Sequence, residues 1–186
     1  TVSARLYGYL KVPLDRGCLQ DRKSGGANPD ACDRSAIAVW VAEHMDPGRL
    51  YLVGSGTTTQ AIMDELKLPG TLLGVDAVKD RRLIGADLTE RQLLDLVEPD
   101  NTTLIVTVIG GQGHIFGRGN QQLSPAVLRR VGVENVTVVA TPAKLIGLFP
   151  KPLLVDTGDP ELDRRFAGYA AVVTGYDRRQ MCRVEC

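Results

Sequence analysis

The run Thr102-Thr-Leu-Ile-Val-Thr-Val-Ile109 limits the fold more than any other stretch of this chain. It is almost wholly β-branched or apolar, with no regular polar position, and so predicts a strand covered on both faces. A half-solvated strand would alternate. Covering both faces requires helices on each side of a sheet. The chain supplies them, because the short apolar runs Leu50–Val53, Val136–Ala140 and Leu153–Val155 alternate with helical stretches. The expected fold is α/β: a mostly parallel, Rossmann-like sheet with helices on both faces, right-handed crossovers and short antiparallel hairpins. With 186 residues, a single domain over positions 1–186 can build a full core.

Local chemistry places the elements. Ser3 to Val12 alternates Ala4, Leu6, Gly8, Leu10 and Val12 against Arg5, Tyr7, Tyr9 and Lys11, a half-solvated strand that Pro13 ends. The aperiodic stretch Leu14–Pro29 is expected to be a mobile loop. Asp33 is the expected cap of a helix running to His44, with Ile37, Trp40, Val41 and either His44 or Met45 inward. Thr71 to Val75 is expected as a strand ending at Asp76. The turn Lys79-Asp80-Arg81 then leads to Arg82–Gly85, and Thr89 caps a helix over Glu90–Val97. Ser124-Pro125, Thr141-Pro142 and Asp159-Pro160 each put an N-cap before a proline at the first helical position. Ala171–Val173 and Gln180–Val184 close the chain as strands around Gly175-Tyr176-Asp177. The chain opens on Thr-Val-Ser-Ala without Met, so we expect it to be the C-terminal part of a longer protein.

Composition removes several classes of function. Twenty-two basic residues balance 22 acidic ones, and the Arg pairs at 81–82, 129–130, 164–165 and 178–179 are scattered. No nucleic-acid surface is expected. No apolar run could span a bilayer and no signal peptide is visible, so the expected location is cytoplasmic, away from membranes. Cys18, Cys32, Cys182 and Cys186 lack metal-ligand spacing, and with only His44 and His114 beside them no metal site is expected.

Chemistry should gather at the carboxyl ends of the strands. After Leu50–Val53 come Gly54, Ser55 and Gly56, then Thr57, Thr58 and Thr59 at the start of a helix carrying Ala61, Ile62 and Leu66 inward. Open N–H groups, the helix dipole and the hydroxyls suit a phosphate or other small anion, and the glycines leave room for it. The same residues would also suit a plain capped helix start. The segment Gly110-Gly-Gln-Gly-His-Ile-Phe-Gly-Arg-Gly-Asn-Gln-Gln122 is expected to close over the ligand, anchored by Ile115 or Phe116, loosely backed and mobile when empty. Gly110, Gly111 and Gly113 allow close approach, while Arg118, Asn120 and Gln121 offer hydrogen bonds to an anion. Asp76, Asp87 and His114 are the candidate acids, bases or hydroxyl acceptors.

The motifs GSGTTTQAI, TLLGVDAV, GGQGHIFGRGNQQLSP, VVATPAKL and LLVDTGDP together resemble the C-terminal half of the AcoX-related ATP-NAD kinase family, from about Val2 to Tyr176. The resemblance implies ATP and NAD as ligands, magnesium in the full-length protein, and phosphorylation of NAD or a related substrate by the full chain. The family's N-terminal half carries Gly-Gly-Asp-Gly-Thr. Here Gly110-Gly-Gln-Gly-His114 keeps that glycine spacing with Gln112 for the aspartate and His114 for the threonine. A Gln cannot be a carboxylate base, so no phosphoryl-transfer activity is expected of these residues alone. A more distant likeness is to ribose-5-phosphate isomerase-like proteins, through GSGTTT, Gly85-Ala86-Asp87-Leu88-Thr89 and the 110–122 segment in the same order. It implies a phosphosugar isomerase as an alternative. A non-catalytic metabolite-sensing or oligomerisation domain is a third. The expected partners are a small phosphorylated ligand and further copies of the chain.

Overall fold

The computed structural model describes residues 30–186; the expected strand at 3–12, the loop at 14–29 and Cys18 lie outside the described residues. Among the described residues nine strands form one sheet, flanked by six α-helices. In chain order they are α1 (Ala31–Glu43), β1 (Leu50–Val53), α2 (Thr57–Glu65), β2 (Asp76–Lys79), β3 (Arg82–Gly85), α3 (Glu90–Leu96), β4 (Thr102–Thr107), β5 (His114–Phe116), α4 (Pro125–Val131), β6 (Val136–Val139), α5 (Pro142–Leu148), β7 (Leu153–Val155), α6 (Pro160–Phe166), β8 (Gly168–Gly175) and β9 (Arg178–Glu185). Across the sheet the order is β3-β2-β1-β4-β6-β8-β9-β7-β5. The pairs β1–β4, β4–β6, β6–β8, β9–β7 and β7–β5 are parallel, and β3–β2, β2–β1 and β8–β9 are antiparallel. The expected fold class is what forms.

Strand alternation sends side chains to two cores. Tyr51, Val53, Ile105, Val139 and Val173 pack under α1 and α2 through Ile37, Val41, Ile62 and Met63. Leu50, Leu52, Leu104, Val106, Val138 and Val172 face Leu93 of α3 and Val127, Leu128 and Val131 of α4. Every residue of β1 is buried, as two-sided cover demands.

The three Ser/Thr/Asp-Pro starts are borne out. The side chains of Ser124, Thr141 and Asp159 accept from Val127 N, Lys144 N, and Glu161 and Leu162 N respectively. Thr89 N donates to the Gln92 amide oxygen 2.9 Å away, in a capping box at α3. Asp80 and Arg81 turn the β2–β3 hairpin with both φ positive, 51° and 58°, the pairing a two-residue hairpin needs.

Four expectations are corrected. Asp33 lies in the first turn of α1 and the N-cap position falls on Asp30. The strand expected at Thr71–Val75 starts at Asp76. Leu73, one of the apolar residues that suggested it, is 55% exposed, while Asp76 pairs with Val53 across β1. The closing strands are longer than expected because they form one hairpin of two eight-residue strands, β8–β9, with seven registered pairs. Finally, the 110–122 segment is not loop throughout, although the expected anchoring by Ile115 or Phe116 is borne out. Ile115 and Phe116 are both buried, at 2% and 0%, and with His114 they form β5, parallel to β7.

Candidate phosphate site at the carboxyl edge of the sheet

β1, β4 and β6 lie side by side and parallel, so their carboxyl ends open on one edge. After β1, Gly54 N still donates to Ile105 O in the ladder, at 2.8 Å. Gly56 N is taken by Leu72 O at 2.9 Å, and the first intrahelical bond is Gln60 N to Gly56 O. The N–H groups of Thr57, Thr58 and Thr59 precede that bond and have no acceptor within the helix. In contrast to α4, α5 and α6, the start of α2 has no side-chain cap. The Thr59 hydroxyl donates backwards to Gly56 O at 3.0 Å. Plain capping therefore does not account for the hydroxyl cluster.

The glycines of this turn serve packing. A Cβ on Gly56, whose φ is +136°, would run into the Thr107 methyl, and one on Gly54 would sit 3.2 Å from Ile105 O. Both point at β4, and not at a ligand.

After β6, α5 begins with Thr141 and carries Lys144 one turn in. Lys144 Nζ lies 3.3 Å from Thr107 Oγ1 at the end of β4 and 3.5 Å from Thr58 Oγ1 at the start of α2. One ammonium group thus touches all three strand ends. Sequence reasoning missed it, because its place depends on β6 lying beside β4 and nothing local to VVATPAKL marks it. Thr58 and Thr59 are fully buried, and Ser55 and Thr57 are half-buried.

The 110–122 segment meets this edge where the Ser55 hydroxyl donates to Gly119 O at 3.3 Å. Arg118 is exposed, with no carboxylate paired to it among the described residues. Gln121 and Gly111 are exposed, and Gly110 is half-buried. Asn120, expected to face the ligand, is 95% buried, with 5% exposed. Its Nδ2 donates to Ile115 O at 2.9 Å, while its Oδ1 has no partner. It ties the loop back onto β5. Gly113, at φ +81°, lies against Pro152 O, and Gly117 against Asp156 O. These glycines also serve close packing, here against β7.

The structure gives Asp76 a different task from the one expected. It is 1% exposed, and its carboxylate accepts from Thr71 N at 2.6 Å, the Thr71 hydroxyl at 2.7 Å and Asp87 N at 2.9 Å. With three protein donors and no solvent access it fastens the 71–75 and 86–87 loops, and a ligand hydroxyl has no way to reach it. Asp87 is exposed in a turn with φ 50°. His114 is half-buried, with Nδ1 enclosed and unpartnered. Burial, and next the Arg118 charge, push its pKa below the ordinary value, against smaller upward pulls from Asp156 and the Gln112 backbone. It stays neutral near pH 7. It belongs to the β5–β7 side of the sheet, with Leu154 as its register partner. Among the described residues no three His, Cys, Asp or Glu side chains come together as a metal-binding group, and no helix is long and apolar enough to cross a membrane.

Neither the curated proteins nor the solved structures contain a match to this chain. One family model does match, that of the ATP-NAD kinase C-terminal domain, over residues 48–184. The match runs from the residues just before β1 to the end of β9. It includes the β1–α2 turn, the 110–122 segment and Lys144, and it implies ATP and NAD use by the full-length protein. This chain belongs to the ATP-NAD kinase C-terminal domain family.

Proposed function

We propose that this domain holds a phosphate group of a nucleotide, ATP or NAD, at the carboxyl edge of β1, β4 and β6. The observation that carries this reading is Lys144 Nζ beside Thr58 and Thr107, at 3.5 and 3.3 Å, at a helix start with no side-chain cap. The N–H groups of Thr57–Thr59 and the positive end of α2 supply fixed partial charge, and the ammonium supplies a full one. Ser55 and Thr57, half-buried, are the hydroxyls still within a ligand's reach. Arg118, exposed and next to Gly119, adds a charge at the rim.

Within this reading the residues bind and orient a phosphate and do not transfer it. Gln112 carries a neutral amide that cannot act as a base, Asp76 is enclosed, and Asp87 lies in an exposed turn. The carboxylate chemistry of phosphoryl transfer is then a task for another part of the full-length protein, and the purified 186-residue chain binds phospholigands without phosphorylating NAD. Magnesium has no seat among these side chains, and no step is assigned to it.

Calorimetric titration with pyrophosphate, ATP, NAD and ribose 5-phosphate tests the reading. Saturable binding is expected for ATP or NAD, weakened about tenfold to a hundredfold in Lys144→Met by loss of a charge-assisted contact, with melting little changed. Equal affinity of wild type and Lys144→Met would overturn it. Tighter binding of ribose 5-phosphate than of either nucleotide would instead favour a phosphosugar enzyme.

A further inference from the structure

β6 and β8 are neighbours in the sheet, yet Val139 and Val173 form their one registered pair. Ahead of that pair the strands splay, and a cavity of about 370 Å³ opens between them. Val136 and Val138 of β6, Tyr169 and Ala171 of β8, and Phe166 of α6 give it apolar walls. This volume is within the range of small-molecule pockets.

Its polar lining is one-sided. Trp40, Arg165 and Arg179 reach it, groups that donate and cannot accept, beside the Thr137 and Tyr169 hydroxyls, which can do both. The Trp40 indole N–H is buried with no hydrogen-bond partner among the described residues, a condition that costs free energy and that native structures rarely leave unexplained. The Arg179 guanidinium lies over the same ring, 5.2 Å from its centroid, and makes no ion pair among the described residues. Arg165 reaches only an exposed Glu134, at 3.8 Å. An unpartnered indole N–H, two positive charges with no negative charge in the lining, and flat apolar walls call for an anion on an apolar body.

We propose that this cavity binds a small organic carboxylate with a planar apolar body, its carboxylate held by the Trp40 indole N–H and Arg179, with Arg165 at the rim. The site is separate from the phosphate edge. From Val136 to Thr141 the chain advances about 16 Å at roughly 3.3 Å per residue, so one small molecule does not fill both. The β6 strand that forms its wall leads directly into Thr141 and α5, which carries Lys144.

Trp40 is the single tryptophan of the chain, so its indole N–H gives one assignable resonance. The test titrates 2-naphthoate and its neutral twin 2-naphthalenemethanol into the full 186-residue protein, by calorimetry and by that resonance. The acid should bind about tenfold or more tightly than the alcohol and move the indole proton downfield, saturably, as it gains an acceptor. Arg179→Gln should bring the acid to the alcohol's affinity, and Ala171→Leu, which fills the cavity, should remove both. Should Arg179→Gln fail to fold, Arg165→Gln, on an exposed side chain, should still weaken the acid severalfold. Lys144→Met should leave every one of these values unchanged, which separates this site from the phosphate edge. Equal affinity of acid and alcohol, or an indole resonance that does not move, overturns the proposal.

Discussion

The turn at 54–59 and the segment at 110–122 both follow parallel strands, and both bring glycines against a neighbouring strand. Gly56 fits under Thr107 of β4, and Gly117 fits against Asp156 O at the end of β7. Their polar groups go opposite ways. The first ends in a helix start whose N–H groups stay open beside Lys144. The second turns inward: Asn120 is buried on Ile115 O, and Ile115 and Phe116 lie in the core. Glycine content alone therefore says where backbone approaches backbone. In the proposed reading, the ligand chemistry is set by which N–H groups are left open, and by which charge the topology brings to them.

The comparison breaks first at the glycines. Gly117→Ala should cost about 3–5 kcal/mol, combining a strained positive φ with overlap on Asp156 O, measured by urea unfolding. Gly56→Val should cost a similar amount for the same two reasons, and so lose stability as well as ligand. Gly110→Ala, with open space at its Cβ, should stay within about 0.5 kcal/mol. Similar losses at all three positions would show that the glycines are not there for packing.

Next in size is Asp76→Ala. It strands the part-buried donors Thr71 N and Asp87 N, and should cost about 2–3 kcal/mol while ligand affinity, extrapolated to the folded fraction, changes little. A selective loss of affinity in a variant of unchanged stability would return Asp76 to the ligand. Arg118→Ala should be milder than a fixed ion pair would give. The side chain is exposed, so nucleotide affinity should fall only about threefold, and less at high salt.

The smallest effect is the pH dependence set by His114. Its folded pKa is depressed, so the unfolded chain binds the proton more readily and stability rises with pH across this window. The contribution is complete above the ordinary value of 6.5 and is lost as pH falls below it. Between about pH 7.5 and 5 the wild type should therefore lose more stability than His114→Gln. Identical slopes would mean that the ring is not desolvated.

Much of the fold was legible because it rests on local chemistry. Ser124, Thr141 and Asp159 announce helices by a cap and a proline within two residues, and β1 and β4 announce burial by composition. What was illegible depends on partners distant in sequence. β5 is three residues long and exists only because Leu154 and Val155 lie alongside it. Leu72, Leu73 and Val75 have strand composition, but the loop they form is fastened by the Asp76 carboxylate, and β1 finds its antiparallel partner one residue later. For the proposed site, sequence pointed to the β1–α2 turn and read its glycines as ligand clearance, whereas they pack against β4. It missed Lys144, which stands inside an ordinary amphipathic helix and becomes relevant only because β1, β4 and β6 are adjacent.

The most direct test of the central claim is a titration of the amide resonances of Ser55 and Thr57–Thr59 with pyrophosphate, in wild type and in Lys144→Met. The account predicts that these four amides shift first and saturably in the wild type, and that reaching the same shift in Lys144→Met takes about tenfold or more ligand. Shifts confined to other parts of the chain, or an identical titration in the two proteins, would contradict it.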